Sequence, residues 1–133
     1  MTHEYIGTKI VTAWPADKDG APGYGVKYSD GYQSWSPKDV FEAAYVDIGH
    51  VAHLPPHLQR VIGEKAELDD KLLKLRTFFG TERFAGLDVQ EQLRLDQQAD
   101  YMQLYSDVLD ARLQVALPGY GSELVTGEAS QAS

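Results

Sequence analysis

Residues 88–117 read DVQEQLRLDQQADYMQLYSDVLDARLQVAL, and the distribution of apolar side chains over this stretch decides the architecture. No proline interrupts it and Pro118-Gly119 follows it, so it reads as one long helix from about Asp88 to Leu117. On a helical wheel its apolar residues do not form one narrow stripe. Met102, Tyr105 and Leu109 lie on one side, and Leu93, Tyr101, Leu104, Val108 and Val115 on the adjacent side. Together they cover roughly 200°, about twice what a helix needs to pack on one neighbour. Asp96, Asp100, Gln103, Asp107, Asp110 and Gln114 fill the remaining, solvated side. One partner helix cannot cover so wide a face, and soluble monomers rarely expose such a patch. The helix is therefore expected to meet a second helix of its own chain and another subunit.

Working backwards, the second helix is found at 57–79. Val61, Leu68, Leu72, Leu75 and Phe79 recur at alternating threes and fours, a heptad seam. Lys65 occupies a slot in that seam. Either its stem lies along the apolar surface with the ammonium at the edge, or the ammonium is placed to meet a bound anion. Gly80 and Gly86-Leu87-Asp88 bound a short connection carrying Phe84, so residues 57–117 form a helical hairpin.

The first 46 residues read differently. Tyr5 to Trp14 alternates with β-branched residues, as a strand does. Asp17 to Gly23 is a Gly- and Pro-containing loop; Tyr24, Val26 and Tyr28 alternate again. Ser29-Asp30-Gly31 then supplies a hairpin turn, and the chain returns through Tyr32 to Trp35. Ser36-Pro37-Lys38-Asp39 is a helix start, with Ser36 as the expected cap and Asp39 reaching back. Val40, Phe41 and Ala44 form the apolar face of a two-turn helix. The fold class is thus α+β: a small N-terminal antiparallel sheet with a short helix (1–46), a linker (47–56) ending in Pro55-Pro56, the hairpin (57–117) that oligomerises, and a disordered tail (118–133).

Composition narrows the chemistry. The 133 residues contain 20 acidic and 12 basic side chains, a formal net charge of −8. That average field repels a long polyanion such as DNA, yet a few inward-facing arginines can still hold a small anion. There are no cysteines, which removes disulfides, thiolate catalysis and sulfur-ligated metals. With neither a membrane-length apolar run nor a signal segment, the chain is expected to remain in the cytoplasm. His50, His53 and His57 invite a metal reading, but Pro55 and Pro56 break the helix that would align them, so no metal or cofactor is expected. No Gly-rich phosphate loop, Ser-His-Asp arrangement or nucleophile elbow is present, so an enzyme is not expected either.

Arg94, Gln97, Gln98 and Arg112 fall inside the wide apolar sector of 88–117. A sheltered guanidinium needs a partner. Either acidic residues across a subunit interface supply it, or an anionic ligand does, and a planar guanidinium suits phosphate well. Tyr101, Tyr105, Phe78 and Phe84 offer flat faces for a nucleobase, or else serve as plain core.

Two blocks carry a resemblance. Tyr5-Ile6-Gly7-Thr8-Lys9-Ile10 and Gly31-Tyr32-Gln33-Ser34-Trp35-Ser36-Pro37-Lys38-Asp39-Val40-Phe41-Glu42-Ala43-Ala44-Tyr45 look like the opening of the first-described type of phage Thoeris anti-defence proteins. The helices, with Arg60-Val61-Ile62, Glu64-Lys65, Glu67-Leu68-Asp69, Gln98, Met102, Tyr105, Val108-Leu109 and Arg112-Leu113, resemble the helical hairpin shared with anti-CBASS cyclic-nucleotide sponges. The resemblance implies a hexamer that captures cyclic ADP-ribose isomers, and in some members cyclic di- or trinucleotides, without breaking a bond in the ligand. It implies pockets built from arginines of both helices and an aromatic residue near the bend. By position these are Arg60, Arg112 and Phe84, with Lys65, Arg94, Gln98, Tyr101 and Tyr105 added from the wheel. The Ala16–Pro22 loop is shorter than in that family. A protein-interaction inhibitor of a host factor is the alternative from another class.

Overall fold

A computed structural model describes residues 1–120, and the chain divides into two compact units, residues 1–46 and residues 47 onward. The first unit contains β1 (Thr12–Pro15), β2 (Gly23–Lys27), β3 (Gln33–Pro37) and α1 (Lys38–Ala44). The second contains α2 (Pro56–Phe78), the single turn α3 (Glu82–Ala85) and α4 (Val89–Ala116). A small antiparallel sheet followed by a long helical hairpin is the architecture expected from the pattern.

The sheet has the order β1-β2-β3, both pairings antiparallel, with Trp14, Gly25 and Trp35 in one cross-strand row. The glycines of β2 are there for the indoles. A Cβ at Gly25 would overlap the Trp14 ring, and one at Gly23 would overlap the Trp35 ring. Trp35 is further fixed by its Nε1–H, which donates to the Ala16 carbonyl at 2.6 Å. The Tyr24 ring stacks on Phe41 of α1 at 4.5 Å, and Phe41 stacks on Tyr45 at 4.7 Å. Val26, 2% exposed, completes this small core.

Two expectations for this unit need correction. The strand expected over 5–14 is regular only at 12–15, and Tyr5 and Ile6 are exposed. β2 ends at Lys27 because the chain turns at Tyr28–Tyr32, where Gly31 adopts φ +91°. Residues 5–11 therefore have no neighbouring backbone to pair with, and alternation alone does not make a strand. Ser36 is not a helix cap: it remains in the ladder opposite Tyr24, and Pro37 precedes α1 without a side-chain cap.

In the second unit α2 and α4 run antiparallel. Val61 and Ile62 of α2 and Leu109 and Leu113 of α4 form its buried core. Ile48, Val51 and Leu54 pack against that core from the segment preceding α2, and Gln59 ties the segment down by donating to the Leu54 carbonyl at 2.8 Å. The expected linker thus contributes apolar residues to the hairpin's open end. Tyr120, beyond the Pro118-Gly119 turn, packs there too; the remainder of the expected tail lies outside the described residues.

The bend at the other end is closed by backbone capping. Thr81 accepts from the Phe84 amide, and Asp88 accepts from the Gln90 amide at 3.0 Å. Gln92 spreads its amide over the carbonyls of Phe84, Ala85 and Leu87. Carbonyls left open at the end of α3 are satisfied in this way.

Which face of α4 meets α2 differs in detail from the wheel. The buried residues are Ala99, Ser106, Leu109 and Leu113, while Gln103 and Asp110, expected on the solvated side, are half-buried. Ala99 and Ser106, which a hydropathy pattern barely registers, share this contact with Leu109 and Leu113 at heptad-related spacing. Of the other apolar residues on the wheel, Leu93, Tyr101, Leu104, Val108 and Val115 are exposed.

Candidate functional site

Arg94, Gln98, Tyr101, Tyr105 and Arg112 are separated by four, three, four and seven positions, so they share one face of α4. All five are exposed. At the open end of the hairpin, Arg112 and His57 border a cleft of about 190 Å³ floored by Leu58, Val61, Leu113 and Ala116. The guanidinium of Arg112 has no ion-pair partner among the described residues. Arg60 is exposed and likewise unpaired, one turn into α2 from His57.

Other members of the face are partly engaged. Tyr105 donates its hydroxyl to the Glu64 carboxylate across the two helices. Tyr101 accepts from Gln97 Nε2 at 3.1 Å. Gln98 approaches the Met102 sulfur at 3.8 Å. Arg94 donates Nε–H to Glu91 at 2.8 Å, an exposed pair one turn apart. Such a pair is weak and opens readily, so it leaves Arg94 usable.

Lys65 is held inside the hairpin. Its ammonium meets Asp69 at 2.7 Å, and the other Asp69 oxygen accepts from buried Ser106 of α4 at 2.5 Å. Burial pulls the Lys65 pKa down, but the hydrogen bond and charge of Asp69 outweigh it and hold the group above 10.5. Burial likewise pushes Asp69 up, and the hydrogen bonds from Lys65 and Ser106 carry it below 3.8. Burial, reinforced by Asp110 and Asp69, raises the Tyr120 hydroxyl. The ammonium therefore has its partner within the chain, and the stem lies along the seam. This network borders a second cleft, about 430 Å³, together with Arg76, Gln103, Asp107 and Asp110. Three aspartates against two cations make it a poor host for a phosphate. Ser106 was the available signal for this network: it stands midway between Ala99 and Leu113 in a heptad of packed positions.

Phe84 sits at the bend in a phenylalanine cluster, 4.8 Å from Phe79 and 5.8 Å from Phe78 between ring centroids. It is only half-buried. Val89 to Arg112 spans about 35 Å of α-helix. Within one chain, Phe84 and Arg112 are thus brought to opposite ends of the hairpin, and no single pocket of one chain holds both.

His50 and His53 stack at 5.4 Å, and among the described residues no group of three or more potential ligands is placed to hold a metal. No described helix is long and apolar enough to cross a membrane.

Residues 55–115, which comprise α2, the bend and nearly all of α4, match the Sequestin family model. The matched stretch is just under half of the chain and coincides with the hairpin that carries the candidate residues. The match fits a sequestering protein. No curated protein and no solved structure matches the chain.

Proposed function

We propose that this chain, whose hairpin is similar to Sequestin, is a phage-encoded sponge for small cyclic nucleotide immune signals. Its ligands are cyclic ADP-ribose isomers and, at further sites, cyclic di- or trinucleotides, and their withdrawal blunts Thoeris and CBASS defence in the cytoplasm of the infected bacterium. The observation that carries this reading is the unpaired guanidinium of Arg112 beside an apolar-floored cleft, on a helix face that also presents Gln98, Tyr101 and Tyr105. Arginine grips phosphate oxygens through paired N–H groups, and tyrosine rings hold a base by stacking.

The pocket is completed between copies of the chain. Arg60 and Arg112 supply charge near one end of a hairpin, and Phe84 supplies a ring at the other, so a ligand touching all three needs two hairpins side by side with opposite directions. Assembly is therefore part of the binding mechanism, and a hexamer provides several equivalent pockets. Nothing in the ligand needs to be cut. Capacity follows from affinity and the number of sites.

Isothermal titration with a panel of cyclic ADP-ribose isomers and cyclic oligonucleotides tests the reading. At least one should bind with a stoichiometry set by the assembly. No heat from any of them removes the proposed function.

A further inference from the structure

The exposed face of α4 carries a second heptad that α2 does not use. Gln97, Tyr101, Leu104, Val108, Ala111 and Val115 are spaced by alternating fours and threes, and every one is exposed. Exposure reaches 61% at Tyr101, 60% at Leu104, 57% at Val108 and 83% at Val115. Opposite this seam lie Ala99, Ser106 and Leu113, the positions buried on α2. α4 is thus a helix with two packing faces, of which its own chain fills one.

The borders of the open seam differ in charge. On one side, immediately before Tyr101 and Val108, stand Asp100 and Asp107; on the other, immediately after Leu104 and Ala111, stand Tyr105 and Arg112. In paired helices these flanking positions set the orientation of the partner. Two antiparallel copies place like flank against like flank, so Asp100 of one faces Asp107 of the other. Two parallel copies place unlike flanks together, so Asp107 of one faces Arg112 of the other. Like charges across a seam cost energy and opposite charges gain it.

We infer that the open seam of α4 is covered by α4 of a second copy running in the same direction, with Asp107 of each copy beside Arg112 of its neighbour. This rests on the assembly stated above; the seam takes Tyr101 and leaves Gln98, Tyr105 and Arg112 on its flank for the ligand, and it is a second interface beside the one that completes the pocket. There, Phe84 and Arg112 meet only if hairpins run in opposite directions. One parallel and one antiparallel contact together build an assembly larger than a dimer, as three-fold and two-fold axes do in a hexamer. A guanidinium has five N–H groups and a carboxylate engages two, so Arg112 beside Asp107 keeps donors for a phosphate.

The absence of native cysteines makes disulfide trapping decisive. Gln97→Cys and Ala111→Cys, each exposed, are prepared singly and mixed in the full chain. Helical circular dichroism checks folding, and sedimentation checks size before oxidation. In parallel copies each variant meets itself, and each alone gives a disulfide dimer as its main product on a non-reducing gel. In antiparallel copies centred on Leu104 each residue lies about 20 Å from its own counterpart, beyond disulfide reach. Cross-linking only in the mixture overturns the parallel orientation and leaves the assembly standing. Assembled variants that cross-link neither alone nor mixed show that the seam is not the interface, which overturns the inference. A chain that sediments as a monomer overturns the inference and the assembly together, while ligand titration reports separately on binding.

Discussion

Asp69 of α2 and Ser106 of α4 are joined at 2.5 Å across the helix interface, and the same carboxylate holds Lys65 at 2.7 Å. Ser106 is the one buried polar side chain among the described residues. A polar contact inside an apolar seam favours one register, because sliding either helix by a turn separates the Ser106 hydroxyl from the Asp69 carboxylate.

Ser106→Ala removes one hydrogen bond and should lower stability by about 1 kcal/mol. Asp69→Ala should cost more, about 1–3 kcal/mol, because the half-buried Lys65 ammonium loses its counter-charge as well. Urea denaturation followed by circular dichroism measures both. Equal midpoints for the two variants would mean that Lys65 gains nothing from Asp69.

The same pair sets a pH dependence. Asp69 titrates below its ordinary 3.8 in the folded chain, so its stabilisation is complete above that value and is lost as pH falls through the folded pKa. Lys65 titrates above its ordinary 10.5, so its stabilisation is complete below that value and is lost as pH rises through the folded pKa. Thermal melts should therefore be flat with respect to this pair near neutrality and fall on both sides. In Asp69→Asn the acid limb should flatten, and an unchanged acid limb would assign it to other carboxylates.

The two faces of α4 should respond differently to truncation. Leu109→Ala empties a core position that is 1% exposed and should cost about 2–5 kcal/mol. Leu104→Ser alters the open seam and should leave the helix content of the chain intact while shifting sedimentation toward smaller species. Loss of helix in Leu104→Ser would place that residue in the core of the single chain.

Gly25→Ala should disturb the sheet unit, because the added Cβ overlaps the Trp14 ring. Overpacking of this kind costs about 1–3 kcal/mol. Both tryptophans of the chain, Trp14 and Trp35, lie in this unit, so fluorescence reports on it separately from the hairpin. Wild-type emission in Gly25→Ala would show that the indole has room to move aside.

Arg112→Ala should weaken capture of a cyclic nucleotide at least tenfold, about 1.4 kcal/mol. Its exposed pairing with a neighbouring copy is worth no more than about 1 kcal/mol, so the assembly should persist at micromolar concentration. Titration and sedimentation on the same sample separate the two roles. Unchanged affinity would remove Arg112 from the pocket.

The hairpin was legible in the sequence because long runs of heptad spacing leave few alternatives. Val61, Leu68 and Leu72 were enough to place α2, and Asp88 and Pro118 bracketed α4. The orientation of α4 was harder to read, since its packed face mixes Ala99 and Ser106 with leucines while its open face carries Leu104 and Val108. A hydropathy pattern finds both faces without saying which one α2 occupies. In the first unit, residue pattern located the turn at Gly31 but not the ends of β1, because strand length depends on the partner strand rather than on the strand itself. The candidate residues stand out in the sequence by charge and aromaticity. Lys65 shows the limit of those signals, since only the fold reveals that Asp69 already holds its ammonium.

The most direct test of sequestration is to load the purified chain with a cyclic ADP-ribose isomer or a cyclic oligonucleotide and remove the free ligand. The protein is then denatured by heat, and the released molecule is identified by mass spectrometry. The account predicts that the ligand comes back chemically intact in amounts proportional to the protein. Recovery of hydrolysed products, or of no ligand at all, would contradict it.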